Sequence, residues 1–337
     1  NAAINCYKIS FTVENKLMNY YQYDDSKLLV LDESRGRSEK AINFCYQLLQ
    51  QTKDNQWAHK AFEFAEGNKS MILLQSLKKN IAANGLLQTD SLYQKLQALN
   101  IQAAYAEKNI AEKLRNNDSS FIADQQKADK INNDILQTSS LLLKNNPVYK
   151  DVLLKTDSLN TGMLQQKILK DDSTALLEFF TGTNALYAFV FSKNNPVQVM
   201  TYDSTLLSSI NNYTLFFTNE NVIASNPGAF EDSAFNLCQK LDLQNIAPSY
   251  RHLTIIPDGI FCFIPFESLL YQKATATSLK TAPYLITKCN ISYGFSAATL
   301  LKQTEQKNND NNEMLAMAPL FINNSKGFAP LPRTDAE

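Results

Sequence analysis

Two histidines and five cysteines are the residues of this chain best suited to nucleophilic catalysis, and their placement limits what they can do. A cysteine nucleophile works as the thiolate and needs an imidazole beside it as general base. The imidazoles are His59 and His252; the thiols are Cys6, Cys45, Cys238, Cys262 and Cys289. Only His252 and Cys262 lie close in sequence, with the turn Pro257-Asp258-Gly259 between them. His252 opens an apolar run instead of closing one, and Cys262 follows the turn, so packing or surface roles are the simpler reading for both. His59 sits beside Trp57 in a helical stretch and reads as a packing residue, as does Cys45. Asp258, ahead of a glycine in a tight turn, is expected to bond its own backbone. Two histidines without a C-x-x-C pair give no metal cluster, and the nine glycines are too scattered for a phosphate-cradling loop. The expectation is a chain with no metal and no cofactor.

The elements that must position these residues divide the chain in two. Its 337 residues and 38.0 kDa suggest about two domains. Pro147 is the only proline before Pro196, and a proline inside a helix costs about 3 kcal/mol, so the long run before it can be helical throughout. Ala58, Phe62 and Ala65 have the spacing of the second helix of a tetratricopeptide repeat, with small residues for close approach and the Phe filling the gap between helices. The first helix of that pair would bury Ile42, Cys45, Tyr46 and Leu49. Leu92, Leu96, Leu99, Ala103, Ala106 and Ile110, and then Ala128, Ile131, Ile135, Thr138 and Leu142, keep the spacing of a coiled-coil seam. They predict a helical hairpin turning at Asn116-Asn117-Asp118-Ser119-Ser120. The junction falls near residues 165–173. Beyond it, strands are expected at Thr174–Phe180, Leu186–Phe191, Val197–Tyr202, from Leu253 to Ile256, at Ile286–Tyr293 and at Met314–Ala318. Helices are expected at about 204–217 and 229–243, from Pro265 or Phe266, and at Ser296–Gln306. This alternation reads as a mostly parallel sheet. The fold class is therefore α + α/β, with boundaries at 1–85, 86–170 and 171–337.

Several segments, in order, resemble a bacterial tetratricopeptide-repeat CHAT-domain protein, of the caspase-like cysteine peptidases. They are Ala61-Phe62-Glu63-Phe64-Ala65-Glu66 with Asn68-Lys69-Ser70, Ala175-Leu176-Leu177-Glu178-Phe179-Phe180, and Leu186-Tyr187-Ala188-Phe189-Val190. The most recognisable pair is Ile255-Ile256-Pro257-Asp258-Gly259 and Ile264-Pro265-Phe266-Glu267-Ser268-Leu269. Leu331-Pro332-Arg333-Thr334-Asp335-Ala336-Glu337 resembles the family's leucine-proline segment. The resemblance implies TPR-like repeats, a helical hairpin and the first, non-catalytic part of a caspase-like α/β domain. Pro257, Asp258, Gly259, Pro265, Phe266 and Glu267 then serve as structural motif residues. The family's catalytic His and Cys close two strands after the leucine-proline segment, so both are expected beyond Glu337, and no catalytic residue is expected within the chain. Such peptidases often cut after Asp or Arg. Arg333 and Asp335 would then mark a processing region, while a sequence that simply stops short is the plainer account.

Two functions follow from this reading. One is the regulatory and structural part of a CHAT-family cysteine endopeptidase, with a protein activator on the repeats and a protein substrate for the complete enzyme. The other is a non-catalytic interaction scaffold. The net charge of -1 gives no overall pull toward nucleic acid or anionic lipid, and no apolar run approaches the length of about 18 that spans a bilayer. An odd number of well-separated cysteines fits reduced thiols in the cytoplasm.

Overall fold

The computed structural model describes residues 2–18, 24–67, 69, 71–82, 86–154, 161–274 and 279–305. The helical half runs through α1 (Ala2–Met18), α2 (Asp24–Thr52), α3 (Gln56–Glu66), α4 (Met71–Ala82) and α5 (Leu86–Thr89). It continues with α6 (Ser91–Arg115), α7 (Phe121–Asn145), α8 (Pro147–Leu154) and α9 (Thr161–Lys167). Asp90 starts α6 by accepting from the amides of Leu92 and Tyr93, donors that the first helical turn cannot pair by itself. Helices α6 and α7 form a hairpin that buries Leu96, Leu99, Ala103, Ala128, Thr138 and Leu142, with Tyr93 and Tyr149 closing its base.

The second half contains β1 (Thr174–Thr181), β2 (Leu186–Ser192), β3 (Gln198–Tyr202), α10 (Thr205–Thr214), α11 (Glu220–Ser225), α12 (Pro227–Lys240) and α13 (Leu243–Ile246). These are followed by β4 (His252–Ile256), β5 (Asn290–Tyr293) and α14 (Ala297–Glu305). The strands form one sheet in the order β3-β2-β1-β4-β5. It is mixed, which corrects the expectation of a mostly parallel sheet. β1, β2 and β3 pair antiparallel because short turns join them, and a short turn can only reverse the chain. β4 pairs parallel to β1, and β5 pairs parallel to β4, each reached by a long crossover.

Three further expectations are corrected. Pro265 opens no regular helix; Phe266–Ser268 is a single 3-10 turn, closed by Ser268 bonding back to the Pro265 carbonyl while Phe266 turns into the core. The stretch predicted as a strand from Ile286 is a 3-10 turn over Leu285–Thr287, and β5 begins only at Asn290. Helix α12 begins at Pro227, ahead of the expected 229, with Asn226 capping the Ala229 amide. The predicted strand Met314–Ala318 lies outside the described residues.

Strand alternation sends the two faces of the sheet to different helical layers. Ala175, Leu177 and Phe179 of β1 meet Leu206, Ile210 and Tyr213 of α10 and Ala234 and Leu237 of α12. On the other face Leu176 and Phe180 of β1 and Tyr187, Phe189 and Phe191 of β2 meet α1, α2, α3, α9 and α14. Phe62 shows the consequence. Its ring lies 5.5 Å from Phe189 and 4.3 Å from Phe191, so it packs into the sheet and does not only fill the gap between paired helices. Ile42, Cys45, Ala58 and Ala65 are buried in the same cluster, with Leu49 packed at its margin and Tyr46 half-buried. The first three helices and the sheet therefore share one core.

Candidate functional site

In sheets with parallel strands, functional residues gather beyond the strands' carboxyl ends. Here those are the ends of β1, β4 and β5, and the chain turns sharply after each. Asp258, two residues past β4, does not bond its own backbone as expected. Its Oδ2 accepts from the Thr181 amide at 2.7 Å and from Nη1 of Arg35 in α2 at 2.8 Å. Thr181 Oγ1 donates to the Asp258 carbonyl at 2.7 Å, and Arg35 Nη1 reaches the Thr181 carbonyl at 2.9 Å. The approach is so close that a Cβ on Gly259 would lie 2.7 Å from Thr181 Oγ1, at a φ of +55° that disfavours any side chain.

The remaining motif residues sit at the same end. Pro257 is half-buried ahead of Asp258. The Pro265 carbonyl accepts from Ser268 Oγ at 2.7 Å, and Ser268 Oγ in turn meets the Tyr213 hydroxyl at 2.6 Å. Phe266 is fully buried against Phe179. Glu267 accepts from the Tyr293 hydroxyl at 2.7 Å, tying the motif to the end of β5. Burial, and then the bond to the Glu267 carboxylate, push the Tyr293 phenol up, so it remains a donor. Asp258→Ala would leave the Thr181 amide without its acceptor. It should cost about 1–3 kcal/mol, read as a lower denaturation midpoint at unchanged m-value. Arg35 is partly solvated and adds little of this.

The α1–α4 layer supplies polar contacts that hold the strand ends in place, and none has a partner near it in sequence. Glu39 accepts from the amides of Thr183 (2.9 Å) and Asn184 (2.7 Å), capping the β1–β2 turn. Asn55 bonds both backbone groups of Val197 at the start of β3. Glu66 accepts from the amides of Ala297 (3.0 Å) and Ala298 (3.1 Å), at the start of α14 where donors are unpaired and negative charge is favoured. Lys69 donates to Glu178 Oε1 at 2.7 Å and to the Phe179 carbonyl. Glu178 is completely buried. Burial and the nearby Glu66 carboxyl raise its pKa well above the usual carboxylate range, against the pull of Lys69. Sequence reasoning assigned no role to Arg35, Glu39, Glu66, Lys69 or Glu178. For Glu178 a sign was there: one carboxylate inside the apolar run Ala175–Phe180 requires a buried partner.

The histidines and cysteines are kept apart. His252 is exposed at the first residue of β4, with Asn290 Nδ2 3.4 Å from its Nδ1. Cys262 lies in the 3-10 turn Gly259–Phe263 beyond the other end of that strand. At about 3.3 Å per residue the five residues of β4 hold them far beyond hydrogen-bonding reach. Although Cys262 is exposed as a residue, desolvation and the neighbouring Asp258 raise its thiol pKa more than Lys69 and Arg35 lower it, so it stays protonated. Burial pushes the thiols of Cys45 and Cys238 up to about 12, and Cys289 is raised by the same cause. His59 is half-buried in α3 against the edge of Phe191, and desolvation lowers its pKa. Among the described residues no group of His, Cys, Asp or Glu could hold a metal ion, and no helix is long and apolar enough to cross a membrane. Arg333 and Asp335 lie outside the described residues.

A mixed sheet between two helical layers, with its sharp turns at the carboxyl ends of parallel strands, is an α/β sandwich joined to a helical array. Residues 234–337 match the family model described as CHAT domain. The match begins within α12 and takes in β4, the Pro257-Asp258-Gly259 and Pro265-Phe266-Glu267 segments, β5 and α14. It supports a CHAT-domain protein and suggests kinship with the caspase-like peptidases; it does not extend to the helical half or to β1–β3. No curated protein matches the chain.

Proposed function

We propose that these residues form the regulatory and structural part of a bacterial CHAT-family cysteine endopeptidase. In this reading the TPR-like helices receive a protein activator, the sheet buttresses the catalytic strands, and the nucleophilic thiol and its imidazole lie on chain outside this sequence. The observation that carries it is the convergence of Arg35, Glu66 and Lys69 on the strand ends around Asp258, Ala297 and Glu178. A partner that shifts α2 or α3 would move those ends directly. Reduced thiols fit a cytoplasmic protein, and the processing region at Arg333 and Asp335 belongs to the same proposal.

The alternative is a TPR-CHAT scaffold without catalysis, in which His252 and Cys262, held at opposite ends of β4, are likewise structural. A ketone probe that alkylates catalytic cysteines, carrying an Arg or Asp recognition residue, separates the readings. On the peptidase reading, the full gene product is labelled at a cysteine outside Asn1–Glu337, and the 337-residue chain cleaves neither Arg- nor Asp-containing peptides. Labelling at Cys262, or cleavage by the chain that Cys262→Ala abolishes, would overturn that assignment. A full gene product that is neither labelled nor active favours the scaffold.

A further inference from the structure

Two carboxyl groups and one ammonium meet in a site closed to water between α3, β1 and α14. Lys69 and Glu178 are both buried, at 8% and 0% exposure. Glu66 spends its two oxygens on the Ala297 and Ala298 amides, and Lys69 is committed to Glu178 Oε1 and the Phe179 carbonyl. Glu178 Oε2 is buried and receives no hydrogen bond, although the Glu66 carboxyl lies within bonding reach of Glu178. Two ionised carboxylates in contact offer each other only lone pairs; a proton between them turns repulsion into a hydrogen bond.

We propose that Glu178 carries a proton held between its unpartnered Oε2 and the Glu66 carboxyl, and that this proton together with Lys69 locks the end of α3 and the start of α14 onto β1. The lock loosens as pH rises and the second negative charge appears. Among the described residues, the titratable groups that act most strongly on Glu178 are Glu66 and Lys69. Across β1 it lies opposite Phe189 of β2 and Ile256 of β4, α14 gives its Ala297 and Ala298 amides to Glu66, and α3 with its following turn presents Glu66 and Lys69. Next along, Cys262 interacts with Lys69, and Arg35 is paired with Asp258. The lock is independent of the peptidase reading.

The direction of the pH effect follows from the raised pKa of Glu178. Between the unfolded value near about 4.3 and the higher folded value, the native chain holds a proton that the unfolded chain lacks. The stabilisation is full in acid and is lost as pH rises through the folded value. Denaturant unfolding of the 337-residue chain and of Glu178→Gln, from about pH 5 to pH 8, tests this. The ratio of the wild-type unfolding constant to that of Glu178→Gln should rise by up to about tenfold per pH unit across the window. Taking the ratio removes His59, whose lowered pKa acts in the opposite direction. Amide exchange should lose protection at Ala297 and Ala298 in the same window in the wild type and keep it in Glu178→Gln. Parallel pH curves for the two proteins would overturn the proposal. Should Glu178→Gln fail to fold, carboxyl carbon NMR of the wild type decides: one glutamate titrating well above the ordinary range supports the lock, and all titrating within it sinks it.

Discussion

Replacing Lys69 with methionine is expected to destabilise the protein by about 3–5 kcal/mol near pH 7.5, because it leaves two buried carboxyl groups with no cation between them. Lys69 and Glu178 have side-chain exposures of 7% and 0%, so solvent cannot take over the role of the lost partner. The loss should shrink as pH falls, since acid allows both carboxyls to become neutral. The double variant Lys69→Met, Glu178→Leu should recover much of the stability, as apolar replacement of a buried pair removes the desolvation cost along with the attraction. Denaturant unfolding of the single and double variants at two pH values measures all of this. A single-variant loss below about 1 kcal/mol would show that the pair is solvated and its burial misjudged.

Phe179→Ala is expected to cost a similar amount, about 3–5 kcal/mol. The Phe179 ring stacks on Phe261 at 4.1 Å and on Phe266 at 5.5 Å, one from each of the two turn segments that follow β4. Those segments contain Gly259 and Pro265, so one side chain from β1 holds both motifs against the sheet. Truncating it leaves a cavity beneath two short 3-10 turns. Protection from amide exchange over Gly259–Ser268 should fall further than the global stability alone predicts. Phe263→Ala is the control: this ring is 72% exposed two residues after Phe261, and its loss should change stability by less than about 0.5 kcal/mol. Equal losses for the two variants would refute the assignment of Phe179 as the anchor.

Much of the architecture was legible because burial leaves a periodic trace in sequence. Leu96, Leu99 and Ala103 face Ala128, Thr138 and Leu142 in a hairpin whose spacing could be read directly. The apolar runs of β1, β2 and β4 lie where they were expected. Strand direction was less legible, although Lys193-Asn194-Asn195-Pro196 already marks a turn too short for anything but antiparallel pairing. The segment at Pro265 had the start signal of a helix, and inward packing of Phe266 overrode it. The candidate site was half visible. Pro257, Asp258 and Gly259 stood out as a unit, but the role read for Asp258 was local, and its actual partners are Thr181 and Arg35.

The sequence by itself determined most element types and the motif segments matched by the CHAT family model, because periodic burial and turn chemistry are local properties of the chain. Only the tertiary structure decided that α1–α3 complete the core of the sheet, that Arg35, Glu39 and Lys69 fasten its strands, and that Glu66 caps α14. The physical reason is directionality. Apolar contact is indifferent to which partner supplies it, so its pattern survives in one dimension. A buried charge is stable only against a particular partner at hydrogen-bonding distance, and that partner, from Lys69 to Glu178, lies far along the chain.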